Sequence, residues 1–307
     1  MEGVMMRNGT EYAIALRLPD GSISARRMPW FSLTRLPLLQ KPFLRGFPLL
    51  LETLVNGIRA LNISVEAGAQ EQELTRRQIV LTVILAFILA VGLFVVAPHL
   101  LSLLMLHMRI GGDVEGVTFH LWDGFFKSCL FLGYIRLISL TPEIRRVFQY
   151  HGAEHKSIHA WEKGGEITSE RAAAMSRLHP RCGTTFLLFV ICLSILLHAL
   201  LVPPFLHLYT PQSSVAKHCA VLAFKLLLVI PISALAYELI RYAARLPDGL
   251  QAAVLRAPGL ALQRCTTCEP DREQLDVALV ALKEALGPED GAGIKTMPYT
   301  KRIETCL

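Results

Sequence analysis

The uncharged apolar runs of this chain limit its fold more than any other feature. Residues 79–106 contain no Asp, Glu, Lys or Arg, and about 20 consecutive apolar residues suffice to cross the hydrocarbon core of a bilayer. Residues 183–206 form a second uncharged block. Residues 216–240 form a third, interrupted by Lys217, Lys225 and Glu238. Residues 119–140 are the weakest, since they carry Asp123, Lys127 and Arg136. One such block also suits the core helix of a soluble protein, but several in one chain do not. The expected fold is therefore an all-α integral membrane protein with about four transmembrane helices.

Basic residues outside these blocks set the expected orientation. Arg26, Arg27, Arg35, Lys41, Arg45 and Arg77 precede the first block, and Arg145, Arg146, Lys156, Lys163, Arg171, Arg177 and Arg181 lie between the second and third. Arg241, Arg245, Arg256 and Arg264 follow the fourth, whereas the two remaining connections carry little beyond Arg109 and Lys217. All three basic regions reach the cytoplasm only if the number of spans is even. Four spans with both termini cytoplasmic satisfy that condition. The net charge of +6 follows from these loops and gives no indication of nucleic-acid binding. The N-terminus lacks the pattern of a secretory signal peptide. The seven cysteines are scattered, and a cytoplasm-facing protein is expected to hold no structural disulfides.

Three regions follow from the pattern. Residues 1–77 form a cytoplasmic N-terminal region. There, alternation on either side of Pro19-Asp20-Gly21 predicts a β-hairpin over 11–18 and 22–28. Prolines 29, 37, 42 and 48 then break the chain. Residues 49–64 have apolar residues at helical spacing, either along the membrane surface or against the spans. Residues 78–246 form the four-span domain, with a hydrophilic, His-rich loop over 143–182. Residues 247–307 form a cytoplasmic C-terminal segment with an amphipathic helix over 273–286. An unpatterned flexible tail is expected from Pro288.

The chemistry concentrates between the second and third blocks, in His151-Gly152-Ala153-Glu154-His155-Lys156, continuing through His159 to Glu162. On a helix, His151, His155 and His159 form one stripe; Glu162 falls between His151 and His155, and Glu154 lies at the edge. His151-x-x-Glu154-His155 has the order of the inverted zincin signature, in which two His bind zinc and the Glu works on water. Such an array suits a divalent transition metal, Zn²⁺ foremost. The plain alternative is a solvated polar helix beside lipid headgroups. Further ligands must come from elsewhere, and His179 and Cys182 border the third block on the same side. A helix starting at Gly183 would aim backbone N–H groups at the Cys182 sulfur. The alternative for His179-Pro180-Arg181 is a turn in which Arg181 meets a lipid phosphate. Glu238 could complete the site or pair with Arg241 or Arg245.

Within the spans, Lys127 and Arg136 are expected to snorkel to headgroups. Lys225 lies deepest and points to a polar interior. Cys265-Thr266-Thr267-Cys268 has ligand or redox spacing but supplies only half of a zinc site.

Several ordered motifs together resemble one family. Met1-Glu2-Gly3-Val4-Met5-Met6-Arg7, His151 through Lys156, His179-Pro180-Arg181-Cys182-Gly183-Thr184, and the segment from Leu262-Gln263 to Glu269-Pro270 are similar to those of the DUF1385 family. The resemblance runs to about residue 286. It implies a bacterial, multi-spanning plasma-membrane protein and a predicted metal-dependent enzyme, with His151, Glu154, His155, His179 and Cys182 as its site. Family members carry residues ahead of the first motif, so a start upstream of Met1 is expected. Cys265 and Cys268 depart from the family pattern, which argues against a general Cys-pair metal site.

Three functions compete at this stage. The first is a metal-dependent hydrolase at the cytoplasmic membrane face. In it Glu154 is the base, and His151, His155, His159, Glu162, His179 and Cys182 supply ligands; the substrate is lipid-linked or a membrane-proximal peptide. The second is a non-catalytic scaffold that binds partners through residues 30–64 and the C-terminal helix. The third is a metal-gated transporter with Lys225 in its path.

Overall fold

The computed structural model describes residues 2–68, 75–209, 211–247, 249–291 and 293–300. The chain opens with a three-stranded antiparallel sheet, β1 (Gly3–Asn8), β2 (Glu11–Arg17) and β3 (Ile23–Pro29), in the order β1-β2-β3. The expected hairpin is β2–β3, with Ile14 opposite Arg26. Gly21 closes its turn at φ +82°, a conformation that glycine adopts without steric cost. β1 adds a strand that alternation does not announce. Val4 and Met6 face one layer and Met5 the other, so the strand reads as a continuous apolar run.

The sheet is covered on both faces. On one, Tyr12, Ile14, Leu16 and Trp30 meet Ala60, Ile63 and Ala67 of α1 (Gly46–Gly68). On the other, Val4, Met6, Ala13 and Ala15 meet Leu275, Leu279 and Leu282 of α11 (Arg272–Asp290). α11 also packs on α5 (Pro142–Glu162). It is enclosed on every side, with Val277, Ala278, Val280 and Ala281 at 0% exposure. α1 packs on α9 (Val229–Arg245) as well as on the sheet. A Cβ at Gly46 would lie 2.6 Å from the Ala234 Cα, so glycine permits that approach. The packed alternative therefore describes α1.

Two local expectations change. Residues from Pro288 onward are not wholly a free tail: Ala25 N–H donates to Thr300 O at 2.8 Å and Thr300 N–H to Ile23 O at 2.9 Å, while Ile294 bridges Ile167. Unpatterned sequence can still pair through its backbone. Residues 301–307 lie outside the described part. Glu238 neither joins the His site nor pairs with Arg241 or Arg245. It accepts from Arg45 Nε at 2.7 Å and Nη2 at 2.6 Å, because α1 brings Arg45 beside α9.

Among the described residues, three helical rods are long and apolar enough to cross a membrane. α2 (Arg76–Val91) and α3 (Ala97–His107) join through a π-helical stretch at Gly92–Val96, giving Arg77–His107. The others are α7 (Gly183–Leu208) and Ser214–Arg245, the latter made of α8 (Ser214–Leu227) and α9. A fourth candidate is α4 (Val117–Ile138) together with α5, with a 97° bend between them. Phe87 is 66% and Leu89 63% exposed on α2, an apolar surface that suits lipid. α6 (Ser169–Ala173) is capped by Thr168, as its sequence predicts; the Thr168 hydroxyl accepts from Arg171 N–H at 3.2 Å. α10 (Leu250–Thr266) runs back along α7. Here Gly259 is needed, because a Cβ would fall 2.4 Å from the Thr185 side chain.

Glu52 of α1 secures the proline-broken segment before it. Its carboxylate accepts from Trp30 Nε1 at 3.1 Å, Ser32 Oγ at 3.0 Å, Thr34 N–H at 2.6 Å and Thr34 Oγ1 at 2.8 Å. Replacing it with Ala strands those donors and is expected to cost about 3 kcal/mol of stability. Thermal unfolding of detergent-purified Glu52→Ala reads this as a lowered Tm; an unchanged Tm would show that the cluster contributes nothing.

Candidate metal centre

α5 begins with Pro142 in its first turn and ends before Gly164, whose φ of +68° breaks the helix. Its stripe of histidines meets the His179–Cys182 turn at the start of α7. The ligand atoms fall into two triples, each within 4.8 Å: His151, His155 and Cys182, and His159, Glu162 and His179. The triples abut, with the His155 and His179 rings 5.6 Å apart.

The two differ in what their atoms already hold. His151 Nδ1 donates to Thr266 O at 2.8 Å, and His155 Nδ1 donates to Arg177 O at 2.6 Å. A carbonyl only accepts, so both rings carry their proton on Nδ1 and keep the Nε2 lone pair free. This is the outer-shell arrangement that orients metal-ligating imidazoles. His151 Nε2 lies 3.2 Å from Cys182 Sγ. A tetrahedral zinc ion separates an N and an S donor by roughly 3.5 Å. Cys182 is the N-cap of α7, and its sulfur accepts from Thr184 N–H at 3.4 Å. The donor set therefore fits a borderline-soft divalent ion.

The second triple is already satisfied internally. His159 Nε2 donates to Leu178 O at 2.9 Å. Glu162 pairs with Arg181 and accepts from His179 Nε2 at 3.4 Å, while His179 Nδ1 accepts from Arg181 N–H at 3.3 Å. Burial pushes the His179 imidazole down to about 4, against the pull of Glu162, so it is neutral. Arg181 pairs with Glu162 while its side chain stays 57% exposed.

Glu154 stands apart from both. Among the described residues its carboxylate makes no hydrogen bond or salt bridge. Burial pushes its pKa up, opposed by nearby His151.

The loop after α10 holds this arrangement together. Gln263 donates to His179 O and accepts from His179 N–H, both at 2.8 Å. Glu269 meets Lys156 at 2.9 Å and Arg177 at 3.4 Å. Gly152 lets the loop reach α5, since a Cβ there would lie 2.1 Å from Cys268 O. The Cys265–Cys268 segment thus contributes the Thr266 carbonyl, and both cysteines are free thiols.

Two cavities meet at Glu154 and His151. One, about 340 Å³, is mainly apolar and runs between β1–β2, α1 and α5, past Val4, Leu16, Ala60 and Val147. The other, about 470 Å³, holds His155, Glu162, His179, Arg181 and Cys182. Met5 of β1 lines the first and Met6 the second. The N-terminal motif is a wall of the site, which spacing alone does not reveal. Glu2 fixes that wall through Arg146 Nη2 and the Tyr150 hydroxyl, each at 2.7 Å.

The chain belongs to the DUF1385 family, described as a protein of unknown function, whose match covers residues 41–288. It is similar to the uncharacterized protein YqhQ of Bacillus subtilis (strain 168), with 31% identity over 302 residues, covering 93% of this chain and 90% of YqhQ. No solved structure matches it.

Burial opposes ionisation of Glu2, but its bonds from Arg146 and Tyr150 outweigh this and hold its carboxyl low. A depressed folded-state value contributes stability that is present above the unfolded value near 4.3 and lost as pH falls through the folded one. Melting curves against pH should therefore show an acid loss of stability that is smaller in Glu2→Gln. Parallel curves would refute this role.

Proposed function

We propose that this protein is a metal-dependent hydrolase at the cytoplasmic face of a bacterial plasma membrane, acting on amphiphilic, lipid-linked substrates. The observation that carries this reading is an unpaired carboxylate, Glu154, beside a His₂Cys donor set where an apolar and a polar cavity meet. With α2–α3, α4, α7 and α8–α9 as spans, the sheet, α5 and α11 fall on one side. The basic loops make that side cytoplasmic.

His151, His155 and Cys182 would hold the ion. A bound divalent cation supplies Lewis acidity and a more acidic water at neutral pH. Glu154 takes a proton from the attacking water and returns it to the leaving group. The apolar cavity receives a hydrocarbon chain, and the polar one receives the headgroup beside Arg181. His159, Glu162 and His179 position the turn that carries Cys182. The scaffold alternative loses support at the C-terminal helix, because α11 is enclosed, whereas Leu36, Leu38 and Phe43 remain exposed within residues 30–64.

Metal content of detergent-purified protein, measured by plasma mass spectrometry, tests the first half. The wild type should hold near-stoichiometric metal, and His151→Ala/His155→Ala and Cys182→Ala should lose it. No metal in the wild type after reconstitution with Zn²⁺, Mn²⁺ or Fe²⁺ would end the reading. Glu154→Gln should keep the metal yet hydrolyse fluorescent lipid esters or phosphoesters in mixed micelles about 10²–10⁴-fold more slowly.

A further inference from the structure

Away from the metal site, the apolar bundle encloses a second group of ionisable side chains. Asp123 and Lys127 come from α4 and Lys225 from α8, and each is almost completely buried. Lys225 Nζ lies 2.6 Å from Asp123 Oδ1, and Lys127 Nζ lies 3.5 Å from Asp123 Oδ2. Lys127 was expected to snorkel; instead it turns inward, because Asp123 one helical turn away and Ser194 and His198 of α7 supply its partners.

Imidazoles extend this core in two directions. On one side, Lys225 Nζ is 3.4 Å from His99 Nδ1, and His99 Nε2 is 3.1 Å from His218 Nδ1. His218 is partly exposed, next to Lys217, which pairs with Glu115 at 2.6 Å at the end of the bundle. On the other side, Lys127 Nζ is 3.3 Å from His198 Nδ1. His198 Nε2 is buried with no partner among the described residues. His120 also faces the cluster from α4 and donates from Nε2 to Val114 O at 3.0 Å.

We propose that the bundle contains a one-sided proton-transfer path, leading from His218 through His99 and the Lys225–Asp123 pair to Lys127 and His198. A static ion pair needs one cation for each anion and no imidazoles. Here two lysines share one carboxylate, so the cluster has two charge states that differ by one proton. Every neighbouring pair along the line is in direct contact, so a proton is the one species the line can pass on. His218 takes a proton from water and transfers one from Nδ1 to His99 Nε2. Lys225 first protonates Asp123 at Oδ1, and the carboxyl turns to hand that proton to the Lys127 amine beside Oδ2. The Lys225 amine so formed, now with a free lone pair, takes the Nδ1 proton of His99, and the net change is one proton moved from water to Lys127. The path is one-sided. His198 lies about 24 Å along α7 from Cys182, at 1.5 Å per residue, and the line reaches solvent at the opposite end of the bundle.

The test is nitrogen NMR of full-length protein labelled at lysine and histidine, in lipid nanodiscs. It reads the exchange of Lys127 Nζ protons with water. Exchange is expected in the wild type, slowed about 10-fold or more in His99→Phe. His218→Leu, at the solvent end, should slow it equally and leaves the buried core intact, so a poorly folded His99→Phe does not decide the matter. Absence of exchange in the wild type would identify a sealed ion-pair cluster and overturn the path. An unchanged rate in His218→Leu would overturn it too.

Discussion

The candidate site depends on one bond, from His151 Nδ1 to the carbonyl of Thr266. It joins the middle of α5 to the end of α10, more than a hundred residues apart, and fixes which imidazole nitrogen is free. The same device recurs at Arg177 for His155. Backbone carbonyls suit the task because they accept and never donate, so each leaves a single tautomer. The remaining contacts around the site bring those carbonyls into place. Gln263 clamps both backbone groups of His179, and Gly152 removes the side chain that would keep the loop away. Glu269 holds Lys156 and Arg177 from the same loop.

Much of this architecture was legible in the sequence, and the remainder fails for identifiable reasons. Uncharged runs reveal apolar rods, and helical spacing reveals the His stripe, because both are local periodicities. The pairing of His151 and His155 with Cys182 rests on the orientation of one turn, and spacing does not encode it. Six candidate ligands therefore read as one array, where the structure divides them into an open triple and an internally bonded one. β1 escaped because both of its faces are buried. Asp123 was read as weakening the second span, although Asp123 and Lys127 stand four residues apart on one helix. With His99, His198 and His218 also in or beside apolar runs, that spacing was a usable sign of a buried polar network.

α7 connects the two polar regions. Cys182 caps its first turn, while Ser194 and His198 face the buried lysines farther along. A charge in an apolar bundle persists only with close partners, and α7 supplies partners to Lys127 without introducing a charge of its own within the apolar run. Its contacts with α4, α9 and α10 make it the common support of the bundle and of the His179–Cys182 turn. A change at either end therefore acts on a helix that the other end also uses.

The N-terminal strand completes the site in a way that constrains what can enter it. β1 stands between the two cavities, with Met5 turned to the apolar side and Met6 to the polar one. Glu2 ties this strand to Arg146 and Tyr150, on the helix that carries His151 and Glu154. The apolar cavity leading to Glu154 is bounded by β1 and by Gly57, Ala60, Leu61 and Ser64 of α1. Gly57 and Ala60 leave room there for a hydrocarbon chain. The polar cavity presents Glu162, His179 and Arg181, already bonded to one another. Of the groups common to both cavities, Glu154 is the one whose carboxylate is unengaged.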